Sequence, residues 1–124
     1  MNLAVVGTGY VGLVTGTCLA EMGNQVVCID TDAAKDAQLE SGQVPIYEPG
    51  LNELVESNVS EGRLTFTTDA RKGIADSQIV MIAVGTPPKG DGSADLSAVF
   101  AVAKMVGEVA QGKRVLVTKS TVPV

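Results

Sequence analysis

Short apolar runs alternate along this chain with segments whose apolar residues recur at helical spacing. The apolar runs have the length and composition of strands buried in a parallel sheet. They occupy residues 3–6, 26–29, 64–67, 78–84 and 114–119. The segments with helical spacing occupy residues 10–22, 33–39, 51–55, 70–75 and 96–110. The pattern therefore predicts alternating strands and helices joined by short connections.

This alternation predicts an α/β fold, a doubly wound (Rossmann) parallel sheet with helices on both faces. We expect strand order 3-2-1-4-5, with the chain ending before a sixth strand. The 124 residues fit one domain, residues 1–124, and 45% hydrophobic content suffices for a buried core. In the first helix the apolar stripe is predicted to comprise Val11, Val14, Thr15, Cys18, Leu19 and Met22. In the last helix the predicted buried residues are Leu96, Val99, Ala103, Val106 and Ala110.

The first apolar run leads directly into Gly7, Gly9 and Gly12. In a dinucleotide-binding turn, the first glycine permits a tight bend, the second admits a pyrophosphate and the third lets helix pack on strand. The helix that begins near Tyr10 or Val11 would direct unpaired N–H groups and the positive end of its dipole at the phosphates. A glycine pattern alone is weak evidence, but its place between strand and helix predicts a dinucleotide site.

The second apolar run ends in Asp30, which lies 18 residues after Gly12. This is close to the spacing, about 20 residues, at which an acidic residue binds the adenosine ribose. A carboxylate there repels a 2′-phosphate, so the sequence predicts NAD rather than NADP. Alternatively, Asp30 only caps the next helix. Lys35 either reaches the ribose or the adenine edge, or is one solvated charge beside Asp32 and Asp36.

Two further loops leave the predicted carboxyl edge of the sheet, where doubly wound folds bind ligands. Thr86 follows the fourth strand and precedes two prolines that stiffen the backbone. Thr121 follows the fifth strand, two residues before Pro123. Each hydroxyl either faces a cofactor or bonds to its own loop, as threonines in turns often do. The segment 45–51, PIYEPGL, is consistent with a rigid corner that places Glu48 near a helix N-terminus.

Composition excludes several classes of function. A net charge of −5 without a basic cluster argues against nucleic acid or an anionic membrane as a partner. No apolar run approaches the roughly 20 residues of a membrane span, and the start at Met1 lacks a signal-peptide n-region, so we expect a cytoplasmic protein. The absence of histidine excludes a histidine-based triad or a histidine-ligated metal, and no metal site is expected. Cys18 and Cys28 are expected to be small core residues.

Five motifs, in order along the chain, carry a family resemblance. They are VVGTGYVGLVTG, the pair Asp30 and Lys35, PIYEPGLNELV, VGTPP followed by ADLSAV, and KSTVPV. Together they resemble the UDP-glucose/GDP-mannose dehydrogenase family, and most of all its members that act on UDP-glucose. The resemblance implies the NAD-binding N-terminal part of a larger enzyme. Such an enzyme oxidises UDP-glucose to UDP-glucuronate with two NAD, through aldehyde and thioester stages held on a cysteine.

The resemblance also implies roles for individual residues. The pyrophosphate would be lined by Gly7, Gly9, Tyr10, Val11 and Gly12. The adenosine ribose would be held by Asp30 and Lys35. The nicotinamide side would be approached by Thr86 and by Thr121, which would also position the catalytic water.

In the family, the nucleophilic cysteine and most of the nucleotide-sugar pocket lie in later regions. We therefore expect this chain by itself to bind NAD at best weakly and to turn over no substrate. The full-length parent is expected to be a homo-oligomer with a nucleotide-sugar substrate. Three alternatives remain: the same domain of a sibling acting on GDP-mannose or UDP-N-acetylmannosamine, a non-catalytic NAD-binding module, and an S-adenosylmethionine or flavin protein with a similar glycine turn.

Overall fold

The computed structural model describes residues 1–123, in which five strands form a single parallel sheet. The strands are β1 (Asn2–Val6), β2 (Gln25–Ile29), β3 (Leu64–Thr67), β4 (Ile79–Ile82) and β5 (Val115–Thr118). The helices are α1 (Tyr10–Glu21), α2 (Ala33–Glu40), α3 (Leu51–Ser60), α4 (Ala70–Ala75) and α5 (Ser97–Val109). The sheet order is β3-β2-β1-β4-β5 and every pairing is parallel. The predicted fold class and strand order are confirmed; Val124, the end of the KSTVPV motif, lies outside the described residues.

Two apolar layers cover the two faces of the sheet. Along β1, Leu3 and Val5 belong to the first layer, whereas Ala4 and Val6 belong to the second. Because successive side chains of a strand point to opposite faces and both faces are covered, the four residues of β1 that follow the exposed Asn2 are all apolar. The first layer contains residues of α1 and α3, namely Leu13, Ala20, Leu51 and Val55. The second contains residues of α4 and α5, namely Ile74, Val99, Val102 and Val106.

The buried face of α1 differs from the predicted one. Cys18, expected in the core, is exposed, and so are Val11 and Met22. The buried residues of the helix are Gly12, Leu13, Gly16, Thr17 and Ala20. A Cβ built on Gly16 would lie 2.8 Å from the Sγ of the buried Cys28. Val14 and Leu19 do pack partly against the first layer, as predicted. For the three exposed residues the prediction was wrong, because apolar residues lie on both faces of α1 and the face with small residues can approach the sheet more closely.

Helix α3 is longer than the one or two turns predicted. It extends to Ser60, and its buried positions at helical spacing are Leu51, Val55 and Asn58. Asn58 donates from Nδ2 to Glu21 Oε2 at 2.7 Å and accepts from Arg63 Nε at 2.9 Å. Because these bonds satisfy the polar atoms of its side chain, Asn58 can occupy a buried position where the apolar pattern expects a hydrophobic residue.

The last helix and the last strand also depart in detail from the pattern. Leu96 and Ala110 lie outside α5, and Val102 is buried where Ala103 was expected. Strand β5 forms one edge of the sheet and is largely exposed. Within residues 1–123, none of the helices has the length and apolar character needed to cross a membrane.

Replacing Asn58 with alanine removes the amide that joins α1, α3 and the residue before β3. We expect the free energy of unfolding to fall by about 2 kcal/mol, because Arg63 and Glu21 lose a buried partner. Urea denaturation measures this change. Asn52→Ala, an exposed asparagine on the same helix, should alter stability by less than about 0.5 kcal/mol. Equal losses in the two variants would contradict a structural role for the Asn58 bonds.

Candidate functional site

The turn between β1 and α1 is closely packed against its surroundings. Gly7 has a φ of +105°, and a Cβ on it would lie 2.5 Å from the carbonyl oxygen of Ala83. A Cβ on Gly12 would lie 1.8 Å from the carbonyl oxygen of Gly7. The Gly7 N–H donates to the Ile29 carbonyl at 2.8 Å. Both positions therefore require glycine, one for its conformation and its contact with Ala83, the other for the contact of helix with turn.

Gly9, in contrast, faces open space. A Cβ built on it has no heavy atom of the described residues within 4 Å. It is the N-cap residue of α1, and no side chain of the described residues caps this helix. Helices α2 and α4 are capped by the carboxylates of Asp32 and Asp69. The first N–H groups of α1 are thus left free beside open space, which suits an anion such as a pyrophosphate.

A cleft of about 450 Å³ opens beside this turn, at the carboxyl ends of β1, β2 and β4. Its polar end includes Gly7, Thr8, Gly9, Asp30 and Thr31. Its apolar end includes residues of α4 and α5, namely Ala70, Ile74, Ala98, Ala101, Val102 and Met105. The volume lies within the range of small-molecule sites. An apolar end beside a carboxylate suits the adenine and ribose of a dinucleotide.

Asp30 is held at the polar end of this cleft by donors from two elements. Its Oδ2 accepts from the N–H and the hydroxyl of Thr8, at 3.0 and 2.5 Å, and its Oδ1 accepts from the Asp32 N–H at 3.2 Å. Burial opposes ionisation, but these hydrogen bonds and the Lys35 ammonium outweigh it and hold the pKa of Asp30 below its usual value. Asp30 is therefore an ionised hydrogen-bond acceptor. It does not cap α2, because Asp32 does.

Thr8 is the site residue that sequence reasoning missed. Its side chain is almost fully buried, at 1% exposure, and it fixes Asp30 from 22 positions away. The signal in the sequence was a hydroxyl residue between Gly7 and Gly9, the first two glycines of the predicted phosphate-binding turn. Lys35 Nζ lies 3.7 Å from Asp30 Oδ2, and both side chains are partly exposed. This ion pair contributes little stability by itself.

The loops after β4 and β5 are joined to each other by Ser120. Its hydroxyl donates to the Val84 carbonyl at 2.7 Å, and its N–H donates to the Ile82 carbonyl at 3.1 Å. The next residue, Thr121, is exposed, and Thr86 is partly buried. The two threonines thus lie on neighbouring loops at the carboxyl edge of the sheet.

The predicted site residues are distributed around this edge in three ways. The cleft itself is lined by Gly7, Gly9 and Asp30. Next to the lining residues lie four others. Tyr10, Val11 and Gly12 begin α1 directly after Gly9, and Lys35 lies beside Asp30. Outside the cleft lining lie Thr86 and Thr121.

Over residues 1–124, the chain matches the UDP-glucose/GDP-mannose dehydrogenase family, NAD binding domain. The chain belongs to this family. It is 58% identical over 123 residues to the UDP-glucose 6-dehydrogenase TuaD of Bacillus subtilis (strain 168), a match that covers 99% of this chain and 27% of that protein. NAD is the cofactor of this domain.

Two solved structures have the same fold. A UDP-glucose dehydrogenase from Pyrobaculum islandicum is 44% identical with a TM-score of 0.92, over 98% of this chain and 29% of that one. A GDP-mannose dehydrogenase from Pseudomonas aeruginosa, in a ternary complex, is 36% identical with a TM-score of 0.94, over the same shares. The chain thus spans less than a third of the length of these relatives.

Asp36, on α2, is a buried carboxyl behind the site. It is 6% exposed, and its Oδ1 has no hydrogen-bond partner within residues 1–123. Burial, followed by the negative charges of Asp30, Glu40 and Asp32, raises its pKa. Burial and the charge of Asp36 in turn raise the pKa of Cys28 to about 12. Cys28 is therefore a thiol at neutral pH.

Replacing Asp36 with asparagine should stabilise the domain at neutral pH. A carboxyl whose pKa is raised by folding binds its proton more tightly when folded, so its ionisation destabilises the fold as the pH rises through that pKa. The advantage of Asp36→Asn should shrink as the pH falls through the raised pKa toward the ordinary carboxyl value, and it should be smallest below that value, where Asp36 is protonated in both states. Denaturation curves between pH 3.5 and 8 measure it. A difference that stays constant with pH would show that the substitution acts through packing alone.

Proposed function

We propose that residues 1–124 are the NAD-binding N-terminal domain of an enzyme that oxidises UDP-glucose to UDP-glucuronate. The overall reaction consumes two NAD⁺ and one water and yields two NADH and protons. The single observation that carries the proposal is the ionised Asp30, held by Thr8 between the open glycine turn and the apolar end of the cleft. The sequence identity of 58% to a UDP-glucose 6-dehydrogenase, against 38% to a GDP-mannose 6-dehydrogenase, favours UDP-glucose as the substrate.

In this proposal the cofactor is held by residues that act in different ways. Gly9 leaves room for the pyrophosphate, and the free N–H groups at the start of α1 donate to it. Asp30 still has lone pairs available, because a carboxylate has about four acceptor positions and three hydrogen bonds are accounted for. The ribose hydroxyls would donate to it, with Lys35 alongside. When bound, NAD supplies the hydride acceptor of the reaction.

The loops after β4 and β5 are proposed to serve the nicotinamide side. Ser120 fixes the second loop to the first through the carbonyls of Val84 and Ile82. This contact limits the positions that Thr121 can take, and we assign Thr121 the role of orienting the catalytic water. Thr86 would contact the cofactor from the neighbouring loop.

The chain by itself is proposed to bind NAD without turnover. A covalent route needs a thiolate beside the reacting carbon. Cys28 is fully buried with its pKa raised to about 12. Cys18 is exposed on α1 and, like Cys28, does not line the cleft. We therefore propose that the nucleophile lies in the part of the relatives that this chain does not span.

Replacing Asp30 with alanine should lower NAD affinity at least tenfold, because the ribose hydroxyls lose a charged acceptor, an interaction of about 1.5–3 kcal/mol. Calorimetric titration of the chain with NAD measures the affinity. The matched control is Asp76→Ala, which removes an exposed carboxylate after α4, near the amino edge of the sheet. Unchanged affinity in Asp30→Ala would overturn the cofactor site proposed here.

Replacing Thr121 with alanine in the full-length parent should lower kcat about 100-fold with little change in the melting temperature, because a correctly placed hydroxyl that orients the reacting water is lost. Steady-state NADH formation from UDP-glucose measures it. Thr118→Ala provides the control, since Thr118 is an exposed threonine three positions earlier on β5. A non-catalytic NAD-binding module predicts no such dependence on Thr121.

A further inference from the structure

A hydrogen bond joins the first residue of α1 to the segment between α2 and α3. The Tyr10 hydroxyl donates to Glu48 Oε2 at 2.5 Å, across 38 positions of sequence. Tyr10 is 52% exposed, so this contact lies on the surface and not in the core. Its backbone adjoins Gly9, where the proposed pyrophosphate site is open. The bond therefore ties a distant segment to the rim of the cofactor site.

This segment, residues 41–50, makes few other contacts with α1 and the first apolar layer. Val44 and Ile46 pack partly against the first apolar layer. Tyr47 is 92% exposed. Within residues 1–123, the bond between Tyr10 and Glu48 is the one side-chain hydrogen bond that joins this segment to α1. The segment is thus attached to this side of the domain by the packing of Val44 and Ile46 and, within residues 1–123, by one side-chain hydrogen bond to α1.

Glu48 also has an electrostatic consequence for an anion site. A free carboxylate beside the start of α1 would repel a pyrophosphate, since like charges at short range disfavour each other. The Tyr10 hydroxyl occupies one oxygen of Glu48 and fixes where that charge lies. The hydrogen bond, followed by the charge of Glu48, raises the pKa of Tyr10 above its ordinary value.

We propose that Glu48 is a positioning residue for NAD, which acts through Tyr10. It holds the phenol ring at the rim of the pyrophosphate turn and keeps residues 41–50 against α1, so that the rim is already formed when the cofactor enters. Preorganisation of this kind favours binding, because less conformational freedom is lost in the complex. This proposal rests on the cofactor site proposed above.

The affinity test uses four variants of the chain, titrated with NAD by calorimetry. Tyr10→Phe and Glu48→Ala each remove the bond, and each should weaken NAD binding about fivefold. Glu48→Gln keeps an acceptor oxygen and should bind NAD as the unaltered chain does. In the double variant, Tyr10→Phe with Glu48→Ala, the loss should be no larger than in either single variant, since both remove one interaction.

A second readout follows the contact without the cofactor. Tyr10 and Tyr47 are the two tyrosines of the chain, so in Tyr47→Phe the ultraviolet titration of tyrosine reports Tyr10 alone. Adding Glu48→Ala to that background should lower the Tyr10 pKa toward its ordinary value. Hydrogen exchange of the backbone amides in residues 42–50 should be faster in Tyr10→Phe. Tyr47→Phe alone is the matched control and should change neither NAD affinity nor exchange.

Three results would overturn the proposal. Unchanged affinity and exchange in Tyr10→Phe would show that the bond positions nothing. Tighter binding in both Glu48→Ala and Glu48→Gln would show that the carboxylate acts only by repulsion. If NAD affinity is also unchanged in Asp30→Ala, or if the unaltered chain does not bind NAD, the proposed cofactor site is wrong. If Asp30→Ala weakens binding but the Tyr10 and Glu48 variants do not, the cofactor site stands and the proposed role of Glu48 is wrong.

Discussion

The close approach of α1 to the turn that precedes it is the constraint on which the site depends. A Cβ on Gly12 would meet the Gly7 carbonyl at 1.8 Å, and Gly7 itself lies against Ala83 of the loop after β4. Only with both contacts in place does α1 begin at the carboxyl edge of the sheet with its first N–H groups beside open space. The proposed anion site would therefore be a consequence of how helix and strand pack, and it would need no cationic side chain.

The same requirement explains the rest of the α1 interface. Gly16 lies over Cys28, and Ala20 is fully buried in the same face. Small residues let the helix axis approach the strands, which leaves the larger apolar residues Val11 and Met22 facing outward. The far end of the helix is then secured by polar contacts, in which Asn58 of α3 accepts a bond from Arg63 and donates one to Glu21. Close packing at one end and a satisfied polar network at the other thus fix the direction of α1.

The features that the sequence predicted are those that depend on local pattern. Apolar runs and helical spacing gave the five strands in their order. The glycine turn and Asp30 predicted a cofactor site at the carboxyl edge, and the structure places both beside the cleft there. The contacts of Thr8 with Asp30 and of Tyr10 with Glu48 were not predictable, because the partners are 22 and 38 positions apart and meet only in the folded chain. The second half of α3 was not predicted, because Asn58 is a polar residue at a buried position and interrupts the apolar spacing on which the prediction relied.

The distribution of charge around α2 accounts for a cofactor without a 2′-phosphate. Asp30 is ionised because Thr8 and the Asp32 N–H stabilise its charge, while Asp32 itself caps the helix. Asp36 is buried behind them with its pKa raised. A phosphate on a ribose bound at Asp30 would meet this negative region, where Lys35 is the one cation paired with Asp30 within residues 1–123, whereas neutral hydroxyls could donate to Asp30. In the proposed site the pyrophosphate would lie instead at the uncapped start of α1. This separation of one acceptor region from one donor region would match the chemistry of NAD.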